Sequence, residues 1–103
     1  MGKNSVIKSL ARCIGNVVLH KLLVKHTNKP ESKNFLINEI VEYGADSFQK
    51  AQMFNWNEKD KERIKGLSLK RIKNLMRNYP DIDHDNSELE ELIKDTMDDL
   101  MLL

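Results

Sequence analysis

The sequence lacks several features on which other classes of protein depend. One cysteine, two prolines and four glycines stand among its 103 residues. A lone cysteine cannot form an intramolecular disulfide, which favours a reducing compartment, and we expect a cytoplasmic protein. We predict that Cys13 is a small buried side chain and not a nucleophile, because no Cys-His motif surrounds it. The low proline and glycine content also excludes collagen-like and low-complexity chains.

Long apolar runs and catalytic motifs are missing as well. Lys8 and Arg12 interrupt the most apolar stretch, so no run of about 18 apolar residues could cross a membrane. We therefore expect a soluble protein without a membrane partner. The sequence contains no glycine-rich phosphate loop, no His-Glu-x-x-His motif and no nucleophile elbow. These absences predict a protein that is not an enzyme and that needs no cofactor.

Apolar residues recur at helical spacing through most of the chain. The widest apolar face belongs to a predicted helix over Ser5–Lys25, in which Leu10, Ile14 and Val17 should be almost completely buried. A chain of this length is the size of one domain. We predict a single helical domain over residues 1–103, all-α, with four helices in a compact bundle.

Three further helices follow from the same periodicity. The second follows Pro30, with Ser32 as its N-cap, and the third runs from Glu58 to about Asn78, with Asn57 as its N-cap. The fourth begins at a capping box formed by Ser87 and Glu90. The apolar face of the second helix contains Leu36, Ile37, Ile40, Val41, Gly44, Phe48, Ala51 and Phe54. Gly44 would let another helix approach this face closely.

Gly66 offers an alternative with five helices. A break there would give two short helices, Glu58–Lys65 and Ser68–Asn78, joined by a Gly-Leu turn. The string GLSLKRIK over residues 66–73 resembles a stretch of the mercury-resistance type of helix-turn-helix regulator. This resemblance covers about a tenth of the chain, and the remaining sequence does not follow the pattern of that family.

Two other features have two interpretations each. Trp56 is either a platform on which a base stacks or a large anchor that closes one end of the core. The apolar terminus Met101-Leu102-Leu103 either docks into the bundle or belongs to an interface with another chain.

Charge is strongly segregated although the formal net charge is only +1. Residues 1–30 contain six Lys or Arg and no acidic residue, and residues 61–79 contain seven basic residues against one acidic. Residues 80–103 contain nine acidic residues against one basic. Either the basic helices pack beside acidic ones and neutralise them, or a basic surface stays open for an anionic partner.

The third helix carries the clearest functional pattern. One of its sides collects four cations and an amide: Arg63, Lys70, Lys73, Asn74 and Arg77. Lys8 and Arg12 lie on the polar side of the first helix. Lys and Arg neutralise phosphates, and Asn hydrogen-bonds to phosphates or base edges, so these residues predict contact with DNA or RNA. The alternative is a helical module for protein–protein interaction or homo-oligomerisation, with no role in nucleic-acid binding.

Two acidic groups could hold a cation. Asp81, Asp83 and Asp85 occupy positions one, three and five of a calcium loop, but position twelve is Leu92 instead of the bidentate glutamate. Whether these aspartates bind a cation stays open. The carboxylates of Glu39, Glu42 and Asp46 lie opposite the apolar face of their helix, where we expect them to be solvated. We therefore assign no metal site.

Overall fold

All regular structure in the described part of the protein is α-helical. A computed structural model describes residues 2–100 and residue 102. Four helices make up this part of the chain: α1 (Lys3–His26), α2 (Pro30–Ala51), α3 (Glu58–Met76) and α4 (Asn86–Asp99). The predicted all-α fold with four helices is confirmed.

Helix α1 lies at the centre of the molecule. Helices α2, α3 and α4 each pack against α1, and α3 also contacts α4. Within the described residues, α2 contacts no helix other than α1. Leu10, Ile14 and Val17 are buried among these helices, as the periodicity predicted. Burial of the wide apolar face of α1 is therefore the main source of tertiary packing.

The start of α3 is defined by a capping box. The side-chain oxygen of Asn57 accepts a hydrogen bond from the backbone N–H of Asp60 at 2.8 Å. The carboxylate of Asp60 accepts one in return from the backbone N–H of Asn57 at 3.2 Å. This exchange satisfies two backbone donors that a helix terminus otherwise leaves unpaired. The predicted N-cap at Asn57 is confirmed.

The two serine caps were predicted at the wrong positions. Helix α2 begins at Pro30, whose fixed φ suits the first helical position, so Ser32 lies inside the first turn. Helix α4 begins at Asn86, because Asp85 accepts a hydrogen bond from the backbone N–H of Glu88 at 2.8 Å. A carboxylate caps as well as a serine hydroxyl and also interacts favourably with the helix dipole.

Helix α3 continues through Gly66 without a break. The five-helix alternative does not occur, and the helix ends at Met76. Ile64 and Ser68 are buried on either side of the glycine. Glycine costs a helix about 1 kcal/mol relative to alanine, whereas burial of a single isoleucine contributes about 1.5–3 kcal/mol. Packing therefore holds the helix together across this position.

The apolar face of α2 is only partly covered. Ser47 and Ala51 are buried, but Ile37, Val41 and Phe48 are 46%, 64% and 45% exposed. The predicted face spans a wide arc of the helix, and α1 alone covers only one edge of that arc. The remaining edge faces away from the core.

Trp56 and Leu102 both pack against the hydrophobic core. The indole N–H of Trp56 donates a hydrogen bond to the carbonyl oxygen of Ala51 at 2.8 Å, and the ring packs against the core. The anchor interpretation of Trp56 therefore fits its position. Leu102 is buried, and its backbone N–H donates to the carbonyl oxygen of Met97 at 2.9 Å. Met101 and Leu103, the other two residues of the apolar terminus, lie outside the described residues.

Truncation of a core side chain tests this packing. We expect Ile14→Ala to lower the free energy of unfolding by about 2–5 kcal/mol, through lost apolar burial and the cavity that remains. The same change at half-exposed Ile37 is the matched control and should cost less than about 1 kcal/mol. Urea denaturation at low protein concentration measures both values. Equal losses for the two variants would show that the face of α1 is not the core.

Candidate nucleic-acid interface

Helices α1 and α3 lie side by side and run in the same direction. Near their N-termini, the Nζ of Lys3 lies 2.6 Å from the carboxylate of Asp60. Arg63 donates a hydrogen bond to the side-chain oxygen of Asn4 at 2.7 Å. Further along, Gly15 lies against Arg71. Residue numbers rise together along both helices in these contacts, so the two helices are parallel.

This arrangement brings the two predicted basic surfaces together. Residues spaced by three or four positions share one side of a helix. From Asn4, such steps lead along α1 to Lys8 and Arg12, and from Arg63 they lead along α3 to Lys70 and Asn74. Because Asn4 and Arg63 touch and the helices are parallel, the two rows lie on the same side of the molecule. We define the basic face as Lys8, Arg12, Arg63, Lys70, Asn74 and Arg77, all of which are exposed.

Lys73 lies at the outer edge of this surface. It is exposed like the others, but it is turned by about 60° around α3 from Lys70. Six of the seven predicted residues therefore share one face, and the seventh flanks it.

The cations of the basic face have no acidic partner in the described part of the chain. Ion pairs within 4.0 Å are formed there by Lys3, Lys21, Lys25, Lys50 and Lys61. None of these lysines belongs to the basic face. Among the described residues, its one side-chain hydrogen bond is the neutral one between Arg63 and Asn4. The hydrogen bond from Lys3 and also the charge of Arg63 lower the pKa of nearby Asp60, but no described carboxylate lies within ion-pair distance of a cation of the face.

The acidic helix α4 packs on a different side of α1. Lys21 donates a hydrogen bond to the hydroxyl of Thr96 at 2.8 Å, and Lys25 donates to Glu88 at 2.6 Å. The hydrogen bond and the charge of Glu88 raise the pKa of Lys25. Lys21 follows Arg12 by nine residues. At about 100° per residue, this spacing places the two side chains on opposite sides of the helix. Helix α4 therefore neutralises the far side of α1 and leaves Lys8 and Arg12 uncovered.

Arg71 belongs to the same region and was missed by the sequence prediction. Its side chain crosses α1 at Gly15, where an added Cβ would lie only 2.5 Å from its Cγ. Its Nε is buried and has no hydrogen-bond partner within the described residues. Arg71 as a whole is partly exposed, and its guanidinium carries further N–H donors that suit an anion. The signal in the sequence was Gly15, a side-chain-free position in the middle of an apolar helix.

Cys13 lies between α1 and α2 and is chemically protected. Its thiol donates a hydrogen bond to the carboxylate of Asp46 at 3.1 Å, and Asp46 also pairs with Lys50 at 2.8 Å. Burial, followed by the hydrogen bond and charge of Asp46, raises the pKa of Cys13 to about 11. The thiol is therefore protonated at neutral pH, when it is a poor nucleophile.

The aspartates after α3 are exposed, and one of them has a structural role. Asp81 and Asp83 lie in the connection to α4, and Asp85 is the N-cap of that helix. Among residues 2–100 and 102, no group of three His, Cys, Asp or Glu side chains is arranged to hold a metal ion. The carboxylate of Asp46 is engaged by Lys50 and Cys13.

Comparison with known proteins adds no relative. No protein-family model, curated protein or solved structure matches this chain. In the part of the chain that the structure describes, no helix combines the length and apolar character needed to cross a membrane.

The packing of Arg71 against Gly15 gives a stability prediction. We expect Gly15→Ala to lower the free energy of unfolding by about 1–3 kcal/mol, because the added methyl group displaces Arg71 or separates α1 from α3. Gly44→Ala is the matched control, since a Cβ at Gly44 meets open space and alanine favours a helix by about 0.5–1 kcal/mol. Urea denaturation of both variants measures the difference. If Gly15→Ala stabilised the protein as much as Gly44→Ala does, the result would contradict the close contact at Gly15.

The raised pKa of Cys13 predicts slow modification. At about pH 8, iodoacetamide should react roughly 100- to 1,000-fold more slowly with the folded protein than with the denatured one, because little thiolate is present. The rate should rise with pH until the thiol titrates near 11. Asp46→Asn removes a charge that opposes the thiolate, so it should lower the pKa and speed the reaction. Equal rates in folded and denatured protein would disprove the protection.

Proposed function

We propose that this protein is a non-enzymatic binding protein that contacts nucleic-acid phosphates through its basic face. The observation that carries the proposal is the alignment of two exposed basic rows on parallel helices, with no carboxylate of the described chain within ion-pair distance. Like charges held close together repel each other, which costs stability unless an anion neutralises them. Phosphates would supply that negative charge.

The dimensions of the basic face suit a polyanion. From Arg63 to Arg77 the α3 row is about 21 Å long, at about 1.5 Å per residue. One strand of duplex DNA carries a phosphate for every 3.4 Å of helix axis, so a row of this length is long enough to contact several phosphates. Lys8 and Arg12 form a second row beside the first. Each contact would release condensed counterions, which drives binding at low salt.

Hydrogen-bonding groups add to the charge. Asn74 lies in the α3 row and can donate to a phosphate or contact a base edge. Arg71 crosses between the two helices and is partly exposed. A guanidinium suits phosphate recognition because it offers several N–H donors in one plane. These two residues would fix where along the rows a phosphate is bound.

Salt dependence provides the test. Fluorescence anisotropy with a duplex DNA and with an RNA hairpin, at about 20–200 mM salt, should show binding whose affinity falls steeply as salt increases. Lys70→Gln and Arg77→Gln should each weaken binding and reduce the magnitude of the log–log slope by about one, since each removes one phosphate contact. Comparison of the two probes shows whether one class of nucleic acid is preferred.

Lys94→Gln is the control for a general effect of net charge. Lys94 is an exposed cation on α4, outside the basic face, so its replacement should leave the slope unchanged. Absence of binding to either probe at low salt would rule out the proposed function. An effect of Lys94→Gln equal to that of Lys70→Gln would show that the basic face is not the binding surface.

A further inference from the structure

Helix α2 presents an apolar stripe that this chain does not cover. Ile37, Val41 and Phe48 lie within about 40° of one another around the helix, and all three are about half exposed or more. Gly44 lies beside them on the same side. We call these four residues the α2 stripe. Among the described residues, α2 packs against α1 alone, so no other helix of the chain approaches this surface.

No contact among the described residues explains Gly44. Gly15 is required because Arg71 packs directly on it, but a Cβ added at Gly44 would have no neighbouring atom within 4 Å. A glycine in the middle of a helix lowers its stability by about 0.5–1 kcal/mol relative to alanine. Close approach of a second helix from outside would account for a missing side chain at this position. The exposed apolar neighbours of Gly44 indicate that such a helix is itself apolar.

We propose that the α2 stripe pairs with the α2 stripe of a second copy of this chain, in antiparallel orientation. The stripe is complementary to itself in that arrangement. Val41 of one copy then lies opposite Gly44 of the other, and Ile37 lies opposite Phe48. At the centre, each Val41 packs into the space left by the missing side chain of Gly44 in the other copy. The two outer pairs, Ile37 with Phe48, are apolar. A two-fold axis generates both halves of such an interface from a single surface.

Charge favours a second copy and the antiparallel orientation. Identical chains carry identical charges, so a charged rim would repel a second copy. The rim of the α2 stripe is instead formed by the neutral amides of Asn34, Asn38 and Gln52. Lys33 is the one charged residue within about 90° of the stripe's centre. Antiparallel pairing separates the two Lys33 side chains by about 28 Å along the helices, beyond the screening length of about 8–10 Å, whereas parallel pairing places them side by side.

The available area is sufficient for a weak dimer. About ten residues of α2 lie on the side of the stripe, and a residue of a typical interface contributes roughly 30–40 Å² of buried surface. The total is about 300–400 Å² per copy and about 600–800 Å² for the pair, which is the size of a weak, transient contact. We therefore expect a dissociation constant of about 100 μM.

Analytical ultracentrifugation from about 5 to 500 μM protein tests the pairing without any nucleic acid, so its result is independent of the proposed function. The weight-average mass of the wild type should rise from 12.0 kDa towards twice that value. Val41→Glu should stay monomeric across the range, because it would bury an unpaired charge. Gly44→Leu should also stay monomeric, because the leucine would occupy the space into which Val41 of the other copy packs. The fold should stay intact, since a side chain at this position meets open space in the monomer.

Phe35→Glu is the matched control. Phe35 is 63% exposed on the same helix, but it lies about 120° or more around the helix from the stripe, where it lines an open cleft of about 530 Å³. This variant should dimerise like the wild type. A wild type that remains monomeric at 500 μM overturns the proposal. So does a dimer that survives both Val41→Glu and Gly44→Leu, or one that Phe35→Glu disrupts equally.

Discussion

Burial of α1 is the constraint on which the rest of the structure depends. The helix is apolar around more than half of its circumference, and its residues at Leu10, Ile14 and Leu22 are completely buried. Water must be excluded from several of its sides at once, so α2, α3 and α4 each take a separate side. Only a narrow polar strip stays open, and Lys8 and Arg12 lie on it.

The position of each helix around α1 also decides where charge accumulates. Helix α4 brings its carboxylates to Lys21 and Lys25, so the acidic segment neutralises one part of the basic N-terminal segment. Helix α3 takes a different side and lies parallel to α1, which extends the open polar strip instead of covering it. A near-neutral chain thereby carries one surface with an excess of positive charge.

Local patterns in the sequence predicted local features well. Apolar periodicity identified four helices and the burial of Ile14, and Asn57 identified a helix start. Ser87 failed as a cap because Asp85, two residues earlier, competes for the same role with equal chemical fitness. The exposure of the outer part of α2 could not be predicted, for a different reason. Periodicity shows that Val41 belongs to an apolar face, but it does not show whether the chain has another helix left to cover that face.

The composition of the basic face was predictable, whereas its assembly was not. The stripe on α3 is visible in the spacing of Lys70 and Arg77, but its alignment with Lys8 depends on contacts between distant residues, such as Asn4 with Arg63. Gly15 marks a position where another element could approach α1, but the sequence does not show that Arg71 is the residue that packs there.

Amide chemical-shift mapping is the most direct test of the central claim, which is that the open strip of α1 and its neighbour α3 form one phosphate-binding surface. Titration of isotope-labelled protein with a short duplex at low salt should shift the amides of Lys8, Arg12, Lys70 and Asn74 together, with one saturation curve. The amides of Lys21, Lys25 and Glu91, on or near the acidic side, should not move. Shifts confined to α2 or α4, or no shifts at all, would contradict the account.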